Sequence, residues 1–243
     1  MTFLRALVAG CLLWSVASAS AEEARKILMV VTSHDRIDEA HPTGLWLEEF
    51  AIPYEMFTAA GHAVTVASPK GGAAPVDPRS AGDAERFAID TMAALQDTVP
   101  LATLDPAGFD AVFFPGGHGT MFDFPDDPAV VRAVNHAIAV DAPLALVCHG
   151  PAALVGAVKP DGSPAVAGRL VTGFTNAEED AVELTDRMPF LLETKLGEQG
   201  ATFVGEANFV EHVVVDGNLI TGQNPASSAA AARALLERLA AVP

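Results

Sequence analysis

Five short apolar runs punctuate this chain: KILMVVTS (residues 26–33), AVTVAS (63–68), AVFFPGG (111–117), LALVCHG (144–150) and RLVTGF (169–174). Short apolar runs bounded by turn residues suit strands buried on both faces, the environment of a parallel sheet covered by helices. The stretches between them have a different period. LWLEEFAIPYEMFTAAG, ending on Gly61, and PAVVRAVNHAIAV, beginning at Pro128, place apolar residues at helical spacing. Strand and helix therefore alternate, which predicts βαβ units and an α/β fold with a mainly parallel sheet. HVVVDGNLITGQ adds a small β-hairpin through its Asp-Gly turn. From Pro225 to Ala241, a stripe of Ala232, Leu235, Leu236 and Leu239 predicts a closing helix. The Pro-, Gly- and Ala-rich stretch from Gly71 to Gly82 reads as a long surface loop inside one domain.

The first 21 residues read separately from this pattern. MTFLRALVAGCLLWSVASASA has one positive charge, an apolar stretch and a small-residue A-x-A ending, the three parts of a secretory signal. Cleavage after Ala21 predicts a periplasmic or secreted protein that starts at Glu22 and keeps no membrane span. VAGC, ending at Cys11, resembles a lipoprotein box, but the apolar stretch between Arg5 and Cys11 is short for one. The remaining 222 of 243 residues suffice for a single domain, 22–243. With Arg5 gone, 13 basic side chains face 31 acidic ones, a formal charge of −18. Nucleic acid and anionic membranes repel such a surface and are not expected partners.

Of the two cysteines, Cys11 leaves with the leader, so Cys148 has no intramolecular partner. A lone thiol in an oxidising compartment is either an inert core residue or one kept for its chemistry. Its setting points to chemistry. Strand LALV delivers Cys148, and Gly150 with Pro151 start a predicted helix over PAALVGAV, whose positive end would favour the thiolate. The geometry parallels the G-x-S-x-G nucleophile elbow, although the first glycine is missing. Strand AVFFPGG ends nearby in Gly116, Gly117 and His118, where backbone N–H groups can approach an oxyanion.

PGGHGTMFDFPD, LVCHGPAAL, TGFTNAEE and ITGQNPASS together resemble the class I glutamine amidotransferase-like superfamily, the DJ-1/PfpI proteins, and most closely its heat-shock-thirty-one-like glyoxalase III branch. TGLWLEEFAIPYEMF, ASPKGG and PVDPRS fit the same branch, so the resemblance spans about Lys26 to Leu239. It implies a flavodoxin-like three-layer sandwich and cofactor-independent conversion of methylglyoxal, a small 2-oxoaldehyde, to lactate. It further implies Cys148 as nucleophile, His149 as its neighbour, Glu179 as the acid that orients the histidine, and Glu49 as the acid that contacts the thiol. Gly116, Gly117 and His118 would line the oxyanion and substrate site. Pattern alone does not separate Glu49 from Glu48 or Glu179 from Glu178. Each residue also has a duller reading: a core thiol for Cys148, a core histidine for His149, helix carboxylates for Glu49 and Glu179, and a loop-packing role for His118.

Competing functions are a holding chaperone or protein deglycase and, with less support, a cysteine peptidase or amidotransferase-like hydrolase. His34 and His41, with Asp35, Asp38 and Glu39 between them, match no metal-site spacing, so neither metal nor cofactor is expected. A homodimer is compatible with the reading. Ile52 departs from the pattern, since relatives often carry histidine there, and this bears on the pocket wall rather than on the nucleophile.

Overall fold

The computed structural model describes residues 23–241. The leader, its cleavage site and Cys11 lie outside the described residues. In chain order the strands are β1 (Lys26–Val30), β2 (Arg36–Asp38), β3 (His41–Pro42), β4 (Ala63–Ser68), β5 (Val99–Pro100), β6 (Ala111–Phe114), β7 (Leu144–Val147), β8 (Leu170–Val171), β9 (Thr202–Phe203), β10 (Val213–Asp216) and β11 (Leu219–Gly222). The α-helices are α1 (Leu47–Ala59), α2 (Ile89–Ala93), α3 (Thr120–Asp123), α4 (Pro128–Ala139), α5 (Asn176–Ala181), α6 (Leu192–Glu198) and α7 (Ser228–Ala241). Seven strands form one sheet in the order β10-β11-β7-β6-β1-β4-β5. All its pairings are parallel except β10 with β11, the expected hairpin.

The period of two along each strand divides the core between the two faces of this sheet. Ile27, Met29, Ala111, Phe113, Ala145 and Val147 join one cluster with Phe50 of α1 and Leu235 of α7. Leu28, Val30, Val112, Phe114, Leu144 and Leu146 join the other with Val130 and Val134 of α4 and Leu196 of α6. Both faces are thus covered, the three-layer arrangement expected, and this explains why the strand sequences are continuously apolar rather than alternating. Helix α4 starts where Asp127 accepts hydrogen bonds from the amides of Ala129 and Val130, with Pro128 in its first turn. Among the described residues, no helix is long and apolar enough to cross a membrane.

Two expectations need correction. RLVTGF is not a central strand: only Leu170–Val171 is extended, and it pairs with β9 in a separate two-stranded sheet. The place beside β7 is taken by β11, and the 169–174 segment is tied alongside by side chains instead. Asp216 Oδ2 accepts from the Leu170 amide, and Thr221 Oγ1 accepts from the Thr172 amide. The 71–82 stretch is not simply a surface loop either. It is clasped to the start of α1 through Leu45 N–H to Pro75 O and Asp77 N–H to Leu45 O, both 2.9 Å, and Ser80 Oγ accepts from the Leu47 amide at 3.0 Å. Asp77 and Ser80 are consequently buried.

The aromatic centre of the first face offers a direct test of this packing. Phe113 is fully buried and meets Phe57 edge to face at 5.5 Å between ring centroids. Phe113→Ala is expected to destabilise the protein by about 3–5 kcal/mol, measured by denaturant unfolding.

Candidate active site

The carboxyl end of β7 turns sharply at Cys148, which takes a left-handed φ of 59°. Only glycine adopts this region at low cost, so the surroundings must hold the cysteine there. They do so at both ends of the residue: its N–H donates to Gly222 O and its carbonyl accepts from Phe174 N, each at 2.9 Å. After the turn, Gly150–Leu154 forms a five-residue 3-10 segment rather than the predicted α-helix. Gly156 sits hard against the Pro125 carbonyl and the chain reverses soon after, through a Val158–Pro164 bridge, so no longer helix fits.

With so short a segment, the expected dipole stabilisation of a thiolate gives way to burial. Burial, reinforced by the nearby Glu49 carboxyl, pushes the Cys148 thiol well above its ordinary value. The resting group is therefore a thiol. Its Sγ lies 3.3 Å from His149 Nδ1, and His149 Nε2 lies 2.8 Å from Glu179 Oε2. The other oxygen of Glu179, Oε1, lies 2.9 Å from His118 Nε2. Burial works to raise the Glu179 carboxyl, but the electrostatic pull of the adjoining His149 ring and the hydrogen bonds from both imidazoles outweigh it and hold the acid well below its usual range.

Proton positions follow from the donors available. The Arg79 guanidinium can only donate, and its Nη2 lies 3.0 Å from His118 Nδ1. That nitrogen must accept, so His118 carries its proton on Nε2 and donates it to Glu179. Burial, then the neighbouring His149, pushes His118 down to about 4, consistent with a neutral ring. His149 likewise donates from Nε2 to the carboxylate and turns the lone pair of Nδ1 to the thiol. Arg79 is itself fixed by Asp77, with Nε to Oδ1 at 3.0 Å and Nη2 to Oδ2 at 2.7 Å.

Glu49 approaches from the first turn of α1 and is fully buried. Its Oε2 accepts the Gly116 amide at 2.7 Å, while Oε1 is buried without a hydrogen bond of ordinary geometry. Burial pushes this carboxyl up to about 8, and it and the Cys148 thiol act directly on each other. Glu48 is the partly exposed neighbour, paired with Arg86 at 3.4 Å. Glu178 is not part of this line: it closes the capping box of α5 with Thr175 and accepts from Phe209 N, Gln223 Nε2 and Asn224 Nδ2.

Gly116 corrects an expectation, because its single N–H is already given to Glu49 and is not available to an oxyanion. It is a close-approach glycine instead, where a Cβ would meet His149 N and Val147 O at 2.6 Å. Gly117 remains the amide that reaches toward Cys148. Its φ of 102° demands glycine.

Trp46, Arg79, Phe174 and Phe209 also line the cleft above Cys148, whose volume is 390 Å³. None of the four was singled out in the sequence. For Arg79 the available signal was DPRS, since an Asp two residues before an Arg makes a local turn, here Arg79 N–H to Asp77 Oδ1 at 2.9 Å. His118, His149 and Glu179 form the one group among the described residues with metal-ligand spacing. Their facing atoms are already joined in hydrogen bonds, and Arg79 adds a positive charge beside them.

The fold and the elbow define an α/β protein with a cysteine at the end of a central strand. A model of the DJ-1/PfpI family matches residues 43–238, and the chain belongs to that family. It is 31% identical over 231 residues to the glutathione-independent glyoxalase hsp3101 of Schizosaccharomyces pombe, covering 87% of this chain and 95% of that protein. Among solved structures, the 24 kDa Rapid Encystment Protein of Francisella tularensis matches with a TM-score of 0.84 and 34% identity, over 88% of this chain and 99% of that one. Glyoxalase III from Candida albicans matches with a TM-score of 0.81 and 26% identity, over 88% and 96%.

The raised Glu49 has a consequence for stability. A carboxyl whose folded value lies above its ordinary 4.5 favours folding at low pH and loses that contribution as pH rises from about 4.5 through about 8. Glu49→Gln removes this dependence. The variant is expected to gain on the order of a few kcal/mol over the parent at pH 9, with the gain fading below about pH 5, as followed by urea unfolding across pH.

Proposed function

We propose that this protein is a glutathione-independent glyoxalase of the glyoxalase III type, converting methylglyoxal and water to lactate with Cys148 as nucleophile. The observation that carries the reading is the hydrogen-bonded line Cys148–His149–Glu179 set beside a buried, raised carboxyl, Glu49. The relatives named glyoxalases support it.

In this mechanism His149 Nδ1 takes the thiol proton as sulfur bonds to the aldehyde carbon, and the carbonyl oxygen takes up a proton to give a hemithioacetal. Glu179, ionised and anchored by both imidazoles, steadies the imidazolium that forms. Glu49, in its ionised form, removes the hydrogen on the former aldehyde carbon, and the electron pair passes to the ketone oxygen through an enediol. The same carboxyl returns a proton to the neighbouring carbon. One carbon is thereby oxidised to a thioester and its neighbour reduced to an alcohol, with no outside oxidant or reductant. Water then cleaves the thioester, releasing lactate and the thiol. The Gly117 and His149 amides are the donors offered to the oxyanion.

Purified protein is expected to consume methylglyoxal and form lactate without glutathione, and Cys148→Ala to abolish this. Glu49→Gln should lower kcat by about 10²- to 10⁴-fold, whereas Glu48→Gln stays near the parental rate. An active Cys148→Ala variant would overturn the reading.

Export is part of the same proposal and rests on the leader sequence alone. Intact-mass measurement of the exported protein is expected to place its first residue at Glu22; retained Met1 would count against it. Homodimer formation is compatible with this function and is read by light scattering.

A further inference from the structure

We propose that the preferred substrate is not methylglyoxal itself but a 2-oxoaldehyde with a larger apolar substituent, of the branched alkyl class, seated along Phe174 and Phe209. This deepens the proposed function and rests on it.

The first observation is size. A 390 Å³ cleft lies within the range of about 300–1,000 Å³ that encloses drug-sized ligands. Methylglyoxal, with three carbons, leaves most of such a space to water. The second is the distribution of polarity. Hydrogen-bonding and charged groups gather around Cys148, His149, His118, Gly117 and Arg79, which lies against His118, whereas Trp46, Phe174, Val182, Phe209 and Pro225 supply apolar wall.

The third observation gives the wall a direction. His149 packs against Phe174 at 4.4 Å between ring centroids, and Phe174 against Phe209 at 6.2 Å. Exposure rises along this track, from 0% at His149 through 5% at Phe174 to 49% at Phe209. An aldehyde carbon placed at Cys148 would thus send its substituent outward past two aromatic rings.

Phe209 is built into that place rather than left there by chance. Its φ is 61°, a left-handed conformation costly for an aromatic residue, and its amide is held by the buried Glu178 carboxylate at 2.7 Å. Beyond Phe209 and Pro225, which it shares with the catalytic cleft, lies a second cavity of 390 Å³ lined also by Ile52, Ala226 and Ala229. Ile52 supplies apolar wall there, while Glu48 and Asn224 mark the polar side of the same cavity.

The chemistry is unchanged by the substituent: 4-methyl-2-oxopentanal and water give 2-hydroxy-4-methylpentanoate, with the oxidation and reduction internal as before. The test compares kcat/KM for methylglyoxal and 4-methyl-2-oxopentanal in the parent, Phe209→Ala and Phe209→Leu. The larger aldehyde is expected to be favoured by about tenfold or more in the parent, since each additional methylene well housed in an apolar pocket is worth roughly that factor. Phe209→Ala should shrink the ratio by about tenfold while Phe209→Leu largely keeps it, and circular dichroism checks that both variants fold. Turnover of methylglyoxal at an equal or greater kcat/KM than the larger aldehyde overturns this inference and leaves the glyoxalase reading intact. A ratio that ignores Phe209→Ala overturns the assigned track. Failure to turn over either aldehyde removes the glyoxalase reading and this inference together.

Discussion

Both oxygens of one buried carboxylate, Glu179, are occupied by imidazole N–H groups, at 2.9 Å from His118 and 2.8 Å from His149. A carboxylate taken out of water is costly unless its lone pairs are met, and here two strands' loops and one helix must converge for that to happen. His118 comes from the turn after β6, His149 from the turn after β7, and Glu179 from the first turn of α5. The parallel order β7-β6-β1 is what brings these ends side by side. The left-handed Cys148 then falls where the same arrangement leaves a lone pair of His149 facing it.

Burial pushes both acids of the site up, yet their net shifts are opposite, and the partners explain the difference. Glu179 has two N–H donors and stays ionised. Glu49 has a single amide donor and a thiol for company, so desolvation prevails and the carboxyl binds its proton near neutrality. Two glutamates of one sequence thus acquire distinct proton affinities from environment alone, the separation that acid–base chemistry needs.

The layered core was legible because every central strand is buried on both faces, which leaves unbroken apolar runs in the sequence. β1, β6 and β7 stand out for that reason, and Asp-Gly marks the β10–β11 turn. RLVTGF misleads because its apolar residues serve a peripheral two-stranded sheet, and period and composition do not register which strand neighbours are already taken. Cys148, His149 and Glu179 were reached through motif order, and Glu49 through motif register; helical spacing alone did not separate it from Glu48. Arg79 was hidden for a different reason. Its contact with His118 joins residues 39 apart, across a Pro- and Gly-rich stretch with no period to read. The same holds for Phe209, whose amide donates to the Glu178 carboxylate, a group distant in sequence that also accepts from Gln223 Nε2 and Asn224 Nδ2.

The orientation of the donors around His118 sets a direction for traffic in the site. A chain of hydrogen bonds passes a proton along only when each member donates to the next in the same sense. Here Arg79 donates to His118, and His118 and His149 both donate to Glu179, so two short chains meet head to head at one acceptor. Such a junction is a dead end for proton hopping. Cys148 is thereby insulated from the solvent beside the half-exposed Arg79, and a proton that His149 Nδ1 takes from it has no onward route through Glu179 and His118.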